Sequence, residues 1–308
     1  MKLNKPTFSM SLKRRLFGMK LTDGLVYRIV LYALLIIIGF VYVYPLLHML
    51  SYSLKSLADL LDPTINILPS SLYLENFSDA LLVLNYVPLF IESLTVTLIP
   101  ALLQTMVASL IGYGFARFQF PLKKIWFALL LATYLIPPQV TMIPRYVLFF
   151  NIGILETIFS IIIPATFGQG VSSAIFVLIF YQFYLMVPKA LDEAAQLDGA
   201  TRWGIYTKVA IPLSLPSFLT AFLFSFVWYW NETYIARLFL GSGGETLLIR
   251  LYNFVSAYNA VLGGGSNVAN EAIRMAATLL IIAPLIVAYF ILQRLFIEGI
   301  DRSGITGE

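Results

Sequence analysis

The sequence has no cysteine and one histidine, His48, and only 12% of its 308 residues are charged. Without cysteine there is no disulfide framework, no thiolate nucleophile and no Cys-based metal site, and one histidine argues against a His-based metal cluster. Yet 59% of the residues are hydrophobic, which is more apolar surface than a water-soluble core of this length can bury. The composition therefore predicts a protein of the lipid bilayer.

Catalytic and nucleotide-binding motifs are also absent from the sequence. It contains no Gly-x-x-x-x-Gly-Lys-Ser/Thr loop, the motif that cradles the phosphates of ATP. It also contains no Ser-x-x-Lys, His-Glu-x-x-His or Gly-x-Ser-x-Gly motif, so no catalytic set of those kinds is present. We therefore expect a chain that is not an enzyme and that holds no cofactor and no metal of its own.

What the sequence does contain is long apolar runs. About 20 apolar residues make a helix long enough to cross the hydrocarbon core of a bilayer. Six stretches without Asp, Glu, Lys or Arg reach about that length and predict an all-α membrane protein with six transmembrane helices. They are Ile29–Leu54, Ser93–Ala116, Ile125–Pro144, Thr157–Pro188, Val209–Asn231 and Met275–Gln293.

The distribution of Lys and Arg between these runs predicts the orientation. With the N-terminus inside, fifteen of the twenty Lys and Arg residues fall in segments on the inner side, as the positive-inside rule requires. Both termini are then cytoplasmic. The chain divides into a basic N-terminal segment, 1–24, a transmembrane domain, 25–298, and a C-terminal tail, 299–308. The basic residues form short blocks and no continuous patch, so we expect no nucleic-acid partner.

The inner segment 188–216 has the pattern of a helix, a break and a second helix. Pro188 suits a first helical turn, and the acidic residues Asp192 and Glu193 suit the positive N-terminal end of the helix dipole. Gly199 is placed to take the left-handed conformation that ends a helix, and a second helix is expected from Thr201. Small alanines flanked by carboxylates indicate a docking surface for a soluble partner. An ordinary amphipathic helix covering the inner end of the bundle is the alternative.

This segment resembles the EAA loop of ATP-binding-cassette (ABC) import permeases, whose coupling helices dock into a cleft on the cytoplasmic ATPase. By this resemblance, six residues are the ATPase-docking positions: Glu193, Ala194, Ala195, Asp198, Gly199 and Ala200. The agreement extends further along the segment, at Tyr206, Val209, Ile211, Pro212 and Pro216.

Other motifs resemble the carbohydrate-importer branch of these permeases, the maltose-type systems. They are Tyr113–Phe118 with Pro121, Ile136–Val140 with Pro144, Trp230–Glu232 and Gln293–Gly299. Glu232 is a departure, since the branch often has Asp there.

The resemblance implies a set of partners and a location. The partners would be a second homologous permease, two cytoplasmic ATPase subunits that bind ATP and Mg, and an extracytoplasmic solute-binding protein. The substrate would be a sugar or oligosaccharide, and the chain would lie among lipids as a multi-pass protein of the bacterial cytoplasmic (inner) membrane. The glycine-flanked outer loop 241–271 would reach into the binding protein, and the tail 299–308 would contact the ATPases. A plain glycine-rich connector with one short packed helix is the alternative for the loop.

Polar residues inside apolar spans are candidates for the substrate path. The candidates are Gln104, Gln139, Gln169, Ser172, Ser173, Asn231 and Glu232. The run Gly168-Gln169-Gly170 indicates either a cavity-lining break or a close helix crossing. The aromatic cluster Trp228–Trp230 with Tyr234 fits either sugar binding or an interfacial belt.

Two other functions compete with ATP-driven import. An ion-driven secondary transporter would need charged or carbonyl-lined ion sites near the midplane and usually inverted repeats, and the spans offer little of either. A structural membrane protein or assembly factor would lack a stoichiometric ATPase partner.

Overall fold

A computed structural model of the chain describes residues 24–263 and 270–302, with side chains as far as Arg294. Residues 1–23 of the predicted N-terminal segment, 264–269 of the outer loop and 303–308 of the tail lie outside the described residues. All regular structure in the described part is helical. The helices are α1 (Leu25–Ser53), α2 (Leu57–Leu61), α3 (Glu75–Val83), α4 (Tyr86–Arg117), α5 (Lys123–Leu135), α6 (Pro138–Asn151), α7 (Phe159–Thr166), α8 (Ser173–Met186), α9 (Lys189–Leu197), α10 (Arg202–Ile205), a π-helical turn (Tyr206–Ala210), α11 (Ile211–Leu213), α12 (Leu215–Asn231), α13 (Tyr234–Leu240), α14 (Leu247–Tyr252), α15 (Phe254–Val261) and α16 (Glu271–Arg302).

The chain divides into two compact units. The first contains the chain up to Phe77 together with Asn270–Leu279, and the second contains the rest. In the first unit, α1 is exposed over nearly its whole circumference, as a uniformly apolar helix facing lipid would be. The segment after α1 folds around Lys55, whose Nζ donates to the carbonyls of Ile65 and Asn66 at 3.1 and 2.8 Å.

Three helices are continuous and apolar enough to cross a membrane: α1, α4 and α16 as far as Arg294. They contain nearly all of the first, second and sixth predicted runs, so these three runs form unbroken helices as expected. Three further pairs of helices pass the same test only when each bent pair counts as one span, which gives up to six.

The third predicted span, Ile125–Pro144, is not one helix. Helix α5 ends at Leu135, and α6 starts at Pro138 with its axis turned by 98°. The cause is the Pro137-Pro138 pair, because proline lacks an amide N–H and its ring moves the preceding residue out of the helical region. Ile136 accordingly has ψ of 120°.

The fourth and fifth predicted spans are also interrupted. Thr157–Pro188 contains α7 and α8, separated by a non-helical stretch in which Gly168 and Ser172 have positive φ of 69° and 52°. Val209–Asn231 bends by 75° at Ser214, between the prolines at 212 and 216. Hydropathy measures composition, which does not change across a break, so it gave no sign of these interruptions. The run Gly168-Gln169-Gly170 did indicate a possible break in the fourth span.

The core of the second unit is built around α4, which packs against α7, α8 and α12. Helices α4 and α8 approach most closely at Gly112. A Cβ atom there would lie 2.7 Å from the Cβ of Phe180 and 2.9 Å from the backbone nitrogen of Tyr181. Small residues at a crossing allow this kind of backbone approach between membrane helices. Next to it, aromatic rings including Tyr113, Phe180 and Tyr184 form the buried cluster.

Candidate functional site

Helix α9 presents its side chains at the surface of the chain. Glu193, Ala194 and Asp198 are exposed, and Leu197 is 89% exposed, whereas Ala195 and Ala200 are half-buried. The exposed face of α9 therefore combines an apolar side chain with carboxylates.

The predicted break after α9 is present and has a defined geometry. Gly199 has φ of +80°, its N–H donates to the carbonyl of Gln196 at 3.0 Å, and the N–H of Ala200 donates to that of Ala195 at 2.9 Å. These two bonds make a Schellman motif, which satisfies the last carbonyls of the helix. Thr201 then caps α10 by accepting from the N–H of Gly204 at 3.1 Å. The helix, turn and second helix follow the predicted order.

Arg117 joins the ends of three helices beneath this surface. Its Nε lies 2.8 Å from Oδ2 of Asp192, and the two side chains are only 6% and 14% exposed. Its Nη2 also donates to the carbonyl of Val187 at 3.0 Å, where α8 ends. The last residue of α4 therefore holds both the end of α8 and the start of α9.

A chain of buried hydroxyl groups continues inward from α10. The Tyr206 hydroxyl donates to Ser109 Oγ at 3.1 Å, Ser109 bonds to the hydroxyl of Tyr184 at 2.8 Å, and Tyr184 bonds to Ser214 Oγ at 2.9 Å. Tyr206 begins the π-helical turn, a rare conformation found frequently at functional sites. These bonds connect the segment after α10 to α4, to α8 and to the bend before α12.

A cavity of about 690 Å³ lies where the spans are interrupted. Its walls come from the junction of α5 and α6, the stretch between α7 and α8, and the junction of α12 and α13. Non-helical backbone is tolerated at membrane depth where it lines such a cavity or is buried in protein. Five of the seven predicted substrate-path residues line it: Gln139, Gln169, Ser172, Ser173 and Glu232.

Gln104 is fully buried and is not among the residues that line this cavity. Its Nε2 donates to the carbonyl of Val171 at 2.8 Å, and its Oε1 accepts from the Tyr229 hydroxyl at 2.8 Å. The N–H of Val171 in turn donates to the Tyr229 oxygen at 3.1 Å. A Cβ added at Gly170 would collide with both side chains. The run Gly168-Gln169-Gly170 is thus a break between α7 and α8, and at Gly170 its backbone also packs closely against the side chains of Gln104 and Tyr229. The predicted break and the predicted close packing each describe part of it.

Asn231 is likewise outside the lining: it ends α12, and its Nδ2 donates to the carbonyl of Val227 at 2.9 Å. The interfacial-belt interpretation is wrong for Tyr229 and Trp230, which are buried. The Glu232 Oε1 accepts from the N–H of Ile235 at 2.8 Å, at the start of α13. Whether Gln104, Asn231 and the five lining residues act on a substrate stays a prediction.

The described part of the outer loop packs on its own chain. The Glu92 carboxylate accepts from the N–H of Glu245 at 2.9 Å, and Ser93 Oγ accepts from that of Leu247 at 2.8 Å. Helices α14 and α15 follow, with Phe254 and Tyr258 buried. The described part of the loop therefore resembles the alternative prediction, a glycine-rich connector that packs on its own chain, but it contains two packed helices where one was expected. The glycines at 264 and 265 lie outside the described residues.

Sequence reasoning missed Arg117 and Arg145 as site residues, and it named Tyr229 only as a member of the aromatic cluster. Arg117 was counted with the inner positive charge and within the motif Tyr113–Phe118, but its buried partner is too far along the chain for any spacing rule to identify. Arg145 was counted with the outer charges, although it lines the cavity. The sequence signal that could have identified Arg145 is its position directly after the apolar run Ile125–Pro144, which contains three prolines.

Residues 104–302 match the family described as the binding-protein-dependent transport system inner membrane component. The match covers more than half of the chain and includes α9, the Gly199 turn and every wall of the cavity. The chain belongs to this family. It is therefore an ABC transporter permease and a multi-pass protein of the cytoplasmic membrane, and its family is one of membrane components, not of enzymes. The resemblance to ABC import permeases predicted from the sequence is confirmed.

Individual relatives match this permease over most of their length. The arabinooligosaccharides transport system permease AraQ of Halalkalibacterium halodurans is 28% identical, with 88% of this chain and 93% of the relative covered. The polygalacturonan/rhamnogalacturonan permease YtcP of Bacillus subtilis is 25% identical, with 96% and 100% covered. A crystal structure of a bacterial ABC transporter for the acidic polysaccharide alginate contains a chain that matches with a TM-score of 0.71 at 23% identity, with 88% and 96% covered. That likeness shows the fold.

Proposed function

We propose that this permease moves a sugar or an oligosaccharide into the cell as the membrane subunit of an ATP-driven, binding-protein-dependent importer. The family match over residues 104–302 carries the proposal. It is supported by relatives matched over nearly their whole length whose names specify arabinooligosaccharides and polygalacturonan or rhamnogalacturonan as cargo.

In this proposal, α9 and the Gly199 turn dock on an ATPase subunit. The exposed side chain of Leu197 would be covered by the ATPase, and the carboxylates of Glu193 and Asp198 would pair with basic residues there. Ala194 is exposed beside Glu193, and its small side chain permits close approach. Ala195 and Ala200 are half-buried, so they would support the docking surface from behind.

The ion pair of Arg117 with Asp192 would transmit movement of α9 to the helices of the core. Because α9, α8 and α4 meet at Arg117, a displacement of α9 by the ATPases would move the inner ends of α4 and α8. The hydroxyl groups of Tyr206 and Ser214 give a second connection, to α12. ATP binding would close the ATPases and switch the broken spans from an inward-facing to an outward-facing arrangement.

The proposed assembly contains a second homologous permease, two ATPase subunits that bind ATP and Mg, and an extracytoplasmic solute-binding protein. In this arrangement the interrupted runs Ile125–Pro144, Thr157–Pro188 and Val209–Asn231 each form one span, the permease crosses the membrane six times, and both termini are cytoplasmic. The outer loop 241–271 would contact the binding protein, and the tail 299–308 would contact the ATPases.

Uptake by the reconstituted complex tests this function. Liposomes that contain the complex with the binding protein outside are expected to accumulate a labelled oligosaccharide only when ATP is present on the ATPase side. Glu193→Lys should abolish uptake and ATPase stimulation while membrane insertion stays normal. Asp62→Lys is the matched control, since Asp62 is exposed and belongs neither to α9 nor to the outer loop 241–271.

Two results would count against the proposal. Normal uptake and ATP hydrolysis by Glu193→Lys would remove the docking role of α9. Uptake that persists without any ATPase subunit would favour an ion-driven secondary transporter.

A further inference from the structure

We propose that the cavity recognises a carboxylate of the transported sugar through Arg145, so that the cargo is a uronate-containing oligosaccharide. This inference rests on the proposed transport function and specifies the chemical class of its substrate. Arg145 lies on α6 and lines the cavity together with Gln139, Gln169 and Tyr234.

Arg145 is partly buried and has no carboxylate partner in the described part of the chain. The ion pairs found there are those of Arg117, Arg250 and Arg274, each with an acidic residue. Arg145 instead donates one hydrogen bond from Nη2 to the carbonyl of Gln169 at 3.2 Å. A guanidinium group has five N–H donors, so most of its donors are available to a ligand in the cavity.

A carboxylate is the ligand that best matches these donors. The planar fork of arginine binds a carboxylate through two parallel hydrogen bonds, and such charge-assisted bonds are about twice as strong as neutral ones. A cation partly removed from water is costly unless it is paired. A bound uronate would supply the missing partner, whereas a neutral sugar would leave the charge uncompensated.

The N-termini of two helices also favour an anion in this cavity. The first residues of α6 and α8, Pro138 and Ser173, belong to its wall, and neither helix has a side-chain cap at its N-terminus. Helix N-termini carry a partial positive charge, which adds to that of Arg145. The lining also contains the carboxylate of Glu232, which accepts the N–H of Ile235 and offsets part of this positive charge.

The remaining lining suits a sugar ring. Amide and hydroxyl groups of Gln139, Ser172 and Ser173 can bond to sugar hydroxyls, and Tyr134 and Tyr234 offer aromatic surfaces. The volume of about 690 Å³ falls within the range of roughly 300–1,000 Å³ typical of small-molecule sites.

The test compares trigalacturonate with its methyl ester, which keeps the shape and removes the negative charge. Uptake is measured in liposomes that contain the whole complex and its binding protein, with arabinotriose as a neutral probe. For Arg145→Gln, the concentration of trigalacturonate that gives half-maximal uptake should rise about tenfold or more, as expected for loss of a hydrogen bond to a charged group. Arg145→Lys keeps the charge but loses the fork, so its rise should be smaller.

Arg274→Gln is the matched control, because Arg274 is exposed and outside the cavity; it should leave the half-saturating concentration unchanged. An unchanged value for trigalacturonate in Arg145→Gln would overturn the inference. So would an equal rise for the acid and a neutral probe, since Arg145 would then only hold the Gln169 backbone. Uptake of neutral probes alone by the unmodified complex would also overturn it.

Two other outcomes have separate meanings. If Arg145→Gln loses the second permease during purification while Arg274→Gln keeps it, Arg145 contacts that subunit and the inference fails. If the unmodified complex takes up no acidic or neutral oligosaccharide with ATP, the proposed transport function fails, independently of Arg145.

Discussion

The Nε atom of Arg117 lies 2.8 Å from Oδ2 of Asp192, and this ion pair joins the last residue of α4 to the first turn of α9. Both side chains are nearly buried, whereas the other arginines that form ion pairs in the described part of the chain are more exposed. Water therefore screens this pair less than the others, and removal of one partner leaves a buried charge.

Replacing Arg117 should destabilise the permease and weaken the coupling of ATP hydrolysis to uptake. Arg117→Gln leaves Asp192 buried without its partner, a change that typically costs about 3–5 kcal/mol in the free energy of unfolding. We expect a lower thermal unfolding midpoint for the detergent-solubilised protein and a lower rate of uptake per ATP hydrolysed.

The exposed pair of Arg274 with Glu271 supplies the control for this variant. Arg274→Gln should change the stability by no more than about 1 kcal/mol, because an exposed ion pair contributes little. A double variant, Arg117→Asp with Asp192→Arg, tests the pairing itself. Stability losses in the double variant that equal the sum of the two single losses would show that the two side chains do not interact.

Substitutions at Gly199 should depend on the backbone conformation more than on side-chain size. With φ of +80° and no atom within 4 Å of an added Cβ, the position is open but left-handed. Asn tolerates this conformation best among residues with a side chain, so Gly199→Asn should keep most uptake. Proline has φ near −65° and no N–H to donate to the Gln196 carbonyl. Gly199→Pro should abolish uptake and ATPase stimulation, and equal activity of the two variants would show that the turn geometry does not matter.

Two glycines on the same helix should respond differently to alanine. At Gly112 a Cβ would lie 2.7 Å from Phe180, whereas at Gly114 nothing lies within 4 Å. Gly112→Ala must separate α4 from α8 and should lower the unfolding midpoint. Gly114→Ala should be neutral or stabilising by roughly 0.5–1 kcal/mol, since alanine favours a helix over glycine. A fall in both midpoints would contradict the proposed packing of α4 on α8.

Removing the Tyr229 hydroxyl should loosen the cavity wall. Tyr229→Phe leaves Gln104 Oε1 without its donor and the N–H of Val171 without its acceptor, and unsatisfied buried groups cost about 1–3 kcal/mol each. We expect a lower unfolding midpoint and weaker substrate binding. Tyr42→Phe is the control, because Tyr42 is 78% exposed and should show neither effect. Normal stability of Tyr229→Phe would mean that this hydroxyl does not hold the wall.

The sequence predicted those parts of the fold that depend on residues adjacent along the chain. The runs now in α1, α4 and α16 are continuously apolar, and each forms one helix. The turn at Gly199 follows from a glycine after an alanine-rich helix. Polar residues within apolar runs, such as Gln139 and Gln169, marked the cavity because such residues are rarely placed against lipid.

The parts that depend on distant contacts could not be predicted. The bend at Pro137-Pro138 leaves the hydropathy of the run unchanged, so it was included in a straight span. The partners of Arg117 and Gln104 come from other helices, and no spacing rule connects them. Tyr229 lies in an aromatic cluster that is also typical of a membrane interface. Only its packing against Gln104 shows that it belongs to the buried wall of the cavity.

Docking of α9 on an ATPase is tested most directly by cross-linking at Leu197. The chain has no cysteine, so Leu197→Cys introduces a unique thiol that can carry a benzophenone maleimide. Illumination of the active complex should link this position to an ATPase subunit. Leu72→Cys, an exposed position in the segment expected outside the membrane, should give no such product. A transport-competent complex in which position 197 cross-links to no ATPase would contradict the account.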